Sequence, residues 1–501
     1  MPIKSLLWDD NKENVGRCGK ISENVMKDLM LEKDFHTVTY EYLKTPCTAS
    51  EITKRQAIIS AAMSSTEVRE QLKYVTEITD RMKTLLSEIE RSEAEEEKVL
   101  IFVPVLKLYF ETNRILAGIE EDDPVYFEKI IERDSEDEKK CTCAAAKFDG
   151  NMKLRLKGTE IHSLHGRDCF RDELERIFNE MELSDAIPRG LHYSKASAAV
   201  VKAFARLNSS TDNDYYSAAK ALYDSCAEKY LSGEGNLREF VQYGDEARFV
   251  IEVSEYFLKL RESGYPVVFP DVSSVREVTI DGLYDPSLLK RGLGAGENVP
   301  NDVRMCLNED SRENFFILTG ANGGGKTTFL RACSLAVLFF ITGCPITAEN
   351  ASVYPFDSLY THFPSNESFE DSGRFVNEAE RAQKIIDEAG ENSFAVFNET
   401  YSGTDEKKSE DYSRRLAHEM YERGVFGIFV THIHSLTGGE IPTLAAVIDE
   451  SDENRRTYKI KRVSSTESSF AGDILKKYGL DEKSLEERLK NITAEGGVSN
   501  G

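Results

Sequence analysis

Eight residues, Gly320 to Thr327 (GANGGGKT), carry the strongest chemical signal in the chain. They fit GxxxxGK[ST], a loop that cradles nucleotide phosphates. Gly320, Gly323, Gly324 and Gly325 let the backbone curl so that its N–H groups point at phosphate oxygens. A helix starting at the end of the loop adds positive potential there. Lys326 reaches the β and γ phosphates as a point charge, the Thr327 hydroxyl is a magnesium ligand, and Asn322 and Thr328 complete the nucleotide-binding set. The loop needs a strand before it and a helix after it. Phe315 to Leu318 supply an apolar run, and Phe329, Leu330, Ala332, Leu335, Ala336 and Leu338 lie at helical spacing.

Two further apolar runs end in polar residues. SFAVFNET, Ser393 to Thr400, reads as a buried parallel strand ending at Asn398 and Glu399. In a phosphate-loop ATPase such an end carries an acid for the magnesium shell and a second acid as base. Glu399 suits the second role, orienting and deprotonating water. Asn398 stands at the magnesium position; it can accept a hydrogen bond from a metal-bound water but brings no negative charge. GIFVTH, Gly427 to His432, puts His432 at a strand's C-terminal end, where it would face a ligand crevice and sense the γ-phosphate or the attacking water. His434 reads as an ordinary surface histidine, and the His432/His434 pair does not read as a metal site. In FEDSGRFVNE, a small-residue turn should precede a helix from Phe375 to about Glu388. Ser372, Gly373 and Arg374 would then offer a hydroxyl, an N–H and a guanidinium to a nucleotide held by a second subunit, as an arginine finger does.

The 501 residues allow two to four domains. A formal net charge of -25 argues against a broad, sequence-independent nucleic-acid surface on one subunit. The nine scattered cysteines fit a reducing cytosol; Cys141 and Cys143 read as thiols in a loop. The polar, acidic start does not read as a signal peptide, and no apolar run is long enough to span a bilayer, so a cytoplasmic protein without membrane contact is expected.

Upstream of the α/β part the chain reads as helical. Residues 1 to about 45 look irregular, and a helix is expected from Ser50, followed by one carrying Val68, Leu72, Val75, Ile78, Met82, Leu85 and Leu86. Ser87 to Lys98 is an acidic helix end or connector, and Val99 to Ala117 a buried helix with Pro104 near its start. Glu120 to Lys140 reads as a charged surface connector. Asn151 to His162 alternates like a strand. Phe170 to Ala247 is again helical, broken at Pro188 and near Gly233, with a polar tip at Asn208 to Tyr215. Glu246 to Leu260 forms a helix ending at Gly264 and Pro266. Two short helices are expected between Ser464 and Leu489. No internal repeat is visible.

These motifs resemble the MutS family, ATP-binding-cassette-type ATPases of DNA mismatch repair. Val299 to Asp302 (VPND) is similar to the family's lead into the phosphate loop, LTGANGGGKTTFLR to the loop and its helix, and SGRFVNE to the trans-acting signature. FNETYSGTD resembles the Walker B strand, FVTHIHSL the switch-histidine strand, and SSFAGDILKKYGL a segment packing on the partner ATPase. RQAI, Arg55 to Ile58, and the long helices are similar to the core, lever and clamp. The resemblance implies a mixed fold: an α-helical core, lever and clamp region (1–265), an α/β P-loop ATPase domain of the ABC type (266–462) and a C-terminal helical segment (463–501).

The resemblance also implies ATP and Mg2+ as cofactors, a homodimer sharing its nucleotide sites, and double-stranded or branched DNA as a partner in repair or recombination. Most family members have Asp where this chain has Asn398, so slow turnover is expected. The chain is too short for the family's amino-terminal mismatch-reading and connector domains, shows no Phe-x-Glu probe, and its tail does not read as a nuclease domain. Direct mismatch reading is therefore not expected. Two alternatives stand beside this reading: a weakly hydrolysing, nucleotide-switched clamp on branched DNA or ribosomes, and a protein-interaction scaffold without nucleic acid.

Overall fold

The structure is a computed structural model that describes residues 5–8, 21–119, 124–155, 214–233, 236–364, 371–401, 406–448 and 456–463. Its helices begin with α1 (Glu23–Asp28), α2 (Thr37–Tyr42), α3 (Ala49–Ser64), α4 (Thr66–Arg91), α5 (Glu95–Ile119) and α6 (Pro124–Arg155). They continue with α7 (Asp214–Leu231), α8 (Leu237–Phe240) and α9 (Gln242–Glu262). Contacts divide the chain into two compact units, Met1–Val15 with Ala57–Glu255, and Gly16–Gln56 with Tyr256–Gly501. Among the described residues no helix is long and apolar enough to cross a membrane.

In the first unit, α4, α5, α6 and α7 pack side by side. The apolar stripe of α4 buries Leu72, Val75, Ile78, Met82, Leu85 and Leu86 as its spacing requires. The acidic stretch Ser87 to Lys98 holds the α4–α5 junction, and Glu95, Glu96 and Glu97 fall in the first turn of α5, where carboxylates favour the helix dipole. α5 continues through Pro104 and buries most of its length.

Within the expected connector over Glu120 to Lys140, residues 124–140 are instead the first half of α6. Pro124 starts it, at a position where its missing N–H costs nothing. Phe127, Ile130, Asp134, Cys141 and Ala144 are buried at helical spacing, a stripe hidden in the sequence by the charges around it. Cys141 and Cys143 therefore sit on a helix, not in a loop; Cys141 is buried, which pushes its thiol up to about 12, and Cys143 is exposed. Residues 151–155, expected as strand, end α6, and the rest of that segment, to His162, lies outside the described residues, as do Pro188 and Asn208 to Asn213. Buried Asp134 accepts from the Tyr109 hydroxyl at 2.9 Å and pairs with Arg133 and Lys229, each at 2.8 Å. Burial works to raise its pKa, but these partners outweigh it and hold the carboxyl below the ordinary range.

In the second unit the lead-in segment is not irregular throughout: it contains α1 and α2. α3 starts one residue before Ser50, because Thr48, not Ser50, caps it. Glu51 N–H donates to Thr48 Oγ1 at 3.3 Å, and Thr48 N–H donates to the Glu51 carboxylate at 2.9 Å. This reciprocal pair is a capping box.

The second unit holds two sheets. β1 (Asp271–Val272), β2 (Glu277–Leu283), β3 (Asn301–Leu307), β4 (Arg312–Glu313), β5 (Phe315–Thr319), β6 (Asn350–Val353) and β7 (Ser358–His362) come first. β8 (Ser393–Asn398), β9 (Phe426–Val430), β10 (Thr443–Ile448) and β11 (Arg456–Val463) follow. One sheet has the order β1-β6-β2-β3-β4, the other β11-β10-β5-β9-β8-β7. In the six-stranded sheet all pairings are parallel except β10 with β11. Three helices belong to it: α10 (Lys326–Ile341), α11 (Asp371–Glu388) and α12 (Glu406–Glu422).

α11 and α12 bury Ala382, Ile385, Leu416 and Met420 with Phe315, Phe397 and Phe429 of the sheet. α10, buried along nearly its whole length, contacts β7, β8 and β9. The chain leaves β5 for the far edge at β7, returns through β8 and β9, and then places β10 on the other side of β5. The order thus reverses at β5, and ligands of open α/β sheets bind at such a reversal, beyond the strands' carboxyl ends. α1 packs against the edge strand β7. Asp28 there accepts from the Thr361 hydroxyl at 2.6 Å and from Arg381. The segment expected to hold two C-terminal helices lies outside the described residues.

Candidate nucleotide-binding site

The loop between β5 and α10 is shaped by its glycines. Gly320, Gly323 and Gly325 have φ of +129°, +73° and +89°, in the region that side chains disfavour. A Cβ on Gly320 would also lie 2.9 Å from that of Ala446, so the loop runs directly against β10. Lys326 opens α10 and is buried. Its Nζ donates to the carbonyls of Gly320 at 2.7 Å and Ala321 at 3.1 Å, folding the side chain back along its own loop. Burial lowers the Lys326 pKa; the Glu399 carboxylate opposes this and Arg456 adds to it. Asn322 is exposed, and Thr327 and Thr328 are half-buried at the helix start.

β8 and β9 are neighbours, with Asn398 opposite Val430. Glu399 follows with φ +53°, and its N–H donates to Val430 O at 2.9 Å. Tyr401 is also left-handed, φ +68°, so the chain turns sharply at the end of β8. On the next strand Thr431 N–H donates to Leu318 O of β5 at 3.0 Å. The result brings His432 Nε2 to 2.9 Å from Glu399 Oε1. An ionised carboxylate only accepts, so this nitrogen carries the proton. Asn398 is buried, and its Oδ1 has no hydrogen-bond partner among the described residues. A buried acceptor without a donor is costly. It fits a place reserved for a donor such as a metal-bound water.

The segment Ser372-Gly373-Arg374 departs from expectation in its backbone: α11 begins at Asp371, so these residues occupy its first turn rather than a turn before it. Their side chains lie outside the described residues, and so does that of His434, whose backbone is in the short 3-10 turn His434–Leu436.

Two further residues belong to none of the sequence motifs. Tyr458 on β11 is 48% exposed at φ +56°, with its ring against Gly325. Asn301 holds that strand in place: its Nδ2 donates to Tyr458 O at 3.0 Å, and its Oδ1 accepts from Ile460 N–H at 2.7 Å. Only the isolated aromatic in the polar run RTYKIKR signalled it.

The other is His362, 1% exposed at the end of β7. Burial pushes its pKa down to about 4, and Arg381 adds to this, while Glu378 opposes. The unfolded chain takes up this proton near pH 6.5, so the folded state loses stability as pH falls from there toward 4. A shift of this size is worth about 3 kcal/mol, present in full above pH 6.5. Urea midpoints measured from pH 4 to 7 should show that slope, and His362→Gln should flatten it.

A mostly parallel sheet, a glycine-rich loop at its order reversal, and a Glu–His pair on the adjoining strand ends mark an α/β domain. Residues 316–488 match the family model described as MutS domain V. The chain is 28% identical over 204 residues to "Endonuclease MutS2" of Thermus thermophilus, covering 40% of this chain and 27% of that protein. Against "DNA mismatch repair protein MutS" of Thermus aquaticus it is 32% identical over 149 residues, 30% of this chain and 18% of that one. Against the MutS of Geobacillus kaustophilus it is 28% identical over 252 residues, 49% and 27%. Through this domain the chain is similar to proteins of the MutS family. It spans about a quarter or less of the length of these relatives.

Proposed function

We propose that this chain is an ABC-type ATPase of the MutS family that works as a homodimer and couples ATP to DNA binding. The observation that carries the reading is the Glu399–His432 pair at 2.9 Å, beside the strand that bears the phosphate loop. Lys326 leaves the Gly320 and Ala321 carbonyls for the β and γ phosphates. Gly320 to Gly325, Asn322 and Thr328 line the phosphate chain, and the exposed ring of Tyr458 offers a face for the base. Glu399 takes the proton of the attacking water through the oxygen that His432 leaves open. His432 fixes the carboxylate's orientation and senses the γ-phosphate.

Thr327 and Asn398 would hold Mg2+, Asn398 through water. Bound there, the ion neutralises phosphate charge. Ser372, Gly373 and Arg374 serve the partner's nucleotide. Residues 1–265 act as core, lever and clamp, 266–462 as ATPase and 463–501 as the segment that meets the partner. The protein works in the cytoplasm, in repair or recombination, without reading mismatches itself.

The test is binding to homoduplex, mismatched and branched DNA, with and without ATP, across a salt series. The expected result is ATP-dependent affinity that falls as salt rises, similar for matched and mismatched duplexes. No affinity for any of the three removes the DNA reading.

Asn398 favours one second reading, a nucleotide-switched clamp that hydrolyses slowly. Asn398→Asp should restore charge at the metal-facing position and lower the magnesium concentration for half-maximal turnover about tenfold. A magnesium titration of phosphate release checks it. An unchanged midpoint would mean that Asn398 does not face the metal.

A further inference from the structure

His362 joins two parts of this site that are far apart in sequence. It ends β7 opposite Phe397 of β8, one residue before Asn398. Its Nε2 lies 3.0 Å from the Glu378 carbonyl of α11, and its Nδ1 lies 2.9 Å from Thr400 Oγ1. A carbonyl only accepts, so Nε2 carries the proton and donates. Nδ1 is then a bare acceptor, and the Thr400 hydroxyl must donate to it. Both ring nitrogens are thus committed, and the ring lies stacked beside Phe397.

Thr400 is buried and directly follows Glu399, whose backbone is held at a left-handed φ. Glu378 lies one helical turn beyond Arg374 on α11. One imidazole therefore ties the side chain of the residue after Glu399 to the helix whose first turn holds Ser372, Gly373 and Arg374.

We infer that His362 is a positioning residue: through Thr400 it sets the attitude of Glu399 and couples it to α11. This rests on the ATPase reading above. When α11 engages a partner's nucleotide, any shift of the Glu378 carbonyl is passed by the imidazole to Thr400. Water activation at Glu399 then depends on whether the helix is engaged.

The experiment is steady-state ATP hydrolysis, with ATP affinity measured separately, on the full chain and on His362→Ala, Thr400→Val, Thr400→Ser and the double variant His362→Ala/Thr400→Val. His362→Ala and Thr400→Val should each lower kcat about tenfold, the worth of one well-placed hydrogen bond. KM and ATP affinity should stay within about twofold. Thr400→Ser keeps the hydroxyl and should keep kcat. The double variant should be no slower than the slower single, because both remove the same link.

Losses that multiply in the double variant, or Thr400→Ser as slow as Thr400→Val, overturn the inference. So does an unchanged kcat in variants that have only lost stability in urea. An unaltered chain that turns over no ATP overturns the ATPase reading and this inference together. Turnover in the unaltered chain with unaffected variants overturns this inference alone.

Discussion

Glu399→Gln should abolish ATP turnover while leaving ATP bound. Glutamine keeps the shape of the side chain, and its carbonyl oxygen can still accept from His432 Nε2, so the 2.9 Å contact survives. What disappears is basicity. A positioned general base contributes about 10²- to 10⁴-fold, and a loss in that range is expected in kcat. ATP affinity should hardly change, because Glu399 would meet the water rather than the phosphate chain. Phosphate release under saturating ATP, set beside equilibrium binding of a labelled nucleotide, gives both numbers. Turnover within about tenfold of the unaltered chain would remove Glu399 from the role. His432→Ala is the companion: it frees the carboxylate without neutralising it, so its cost in kcat should be smaller.

Lys326→Ala acts at the other end of the site and should show the opposite split, with binding lost first. The ammonium is the cation at the opening turn of α10, and in the folded loop it already bonds two carbonyls of its own turn. With nucleotide present those bonds exchange for charge-assisted ones to phosphate, each worth about 1.5–3 kcal/mol. The expected fall in ATP affinity is about 10²-fold or more. Lys326→Met keeps the buried stem and separates lost charge from lost packing. Calorimetric titration with ATP and magnesium measures the fall, and urea unfolding confirms that the sheet stands. A variant that binds ATP normally would show that the loop holds phosphate by its backbone alone.

The motifs around the phosphate loop were legible because each is short and locally complete. Apolar runs over Phe315 to Leu318, Phe394 to Phe397 and Gly427 to Val430 became β5, β8 and β9. Sequence pattern and structure part where one signal masks another. Over residues 124–140 the charge density hides the buried positions Phe127, Ile130 and Asp134 of a helix, so the sequence alone resembles a connector. At Asn151 a short alternation imitated a strand inside the end of that same helix. At Thr48 the capping pair is present in TASE, beside a second capping-type residue, Ser50.

By itself the sequence determined that a phosphate loop is present, that Asn398, Glu399 and His432 close strand ends, and that the charge is strongly negative. The tertiary structure decided which strand ends meet. β9 runs between β5 and β8, and only that order brings His432 against Glu399. It also decided that His362 joins Glu378 to Thr400, and that Tyr458 lies against Gly325. Strand order, and the pairing of residues tens or hundreds of positions apart, comes from burying whole faces of sheet and helix together. No local pattern of residue types encodes it.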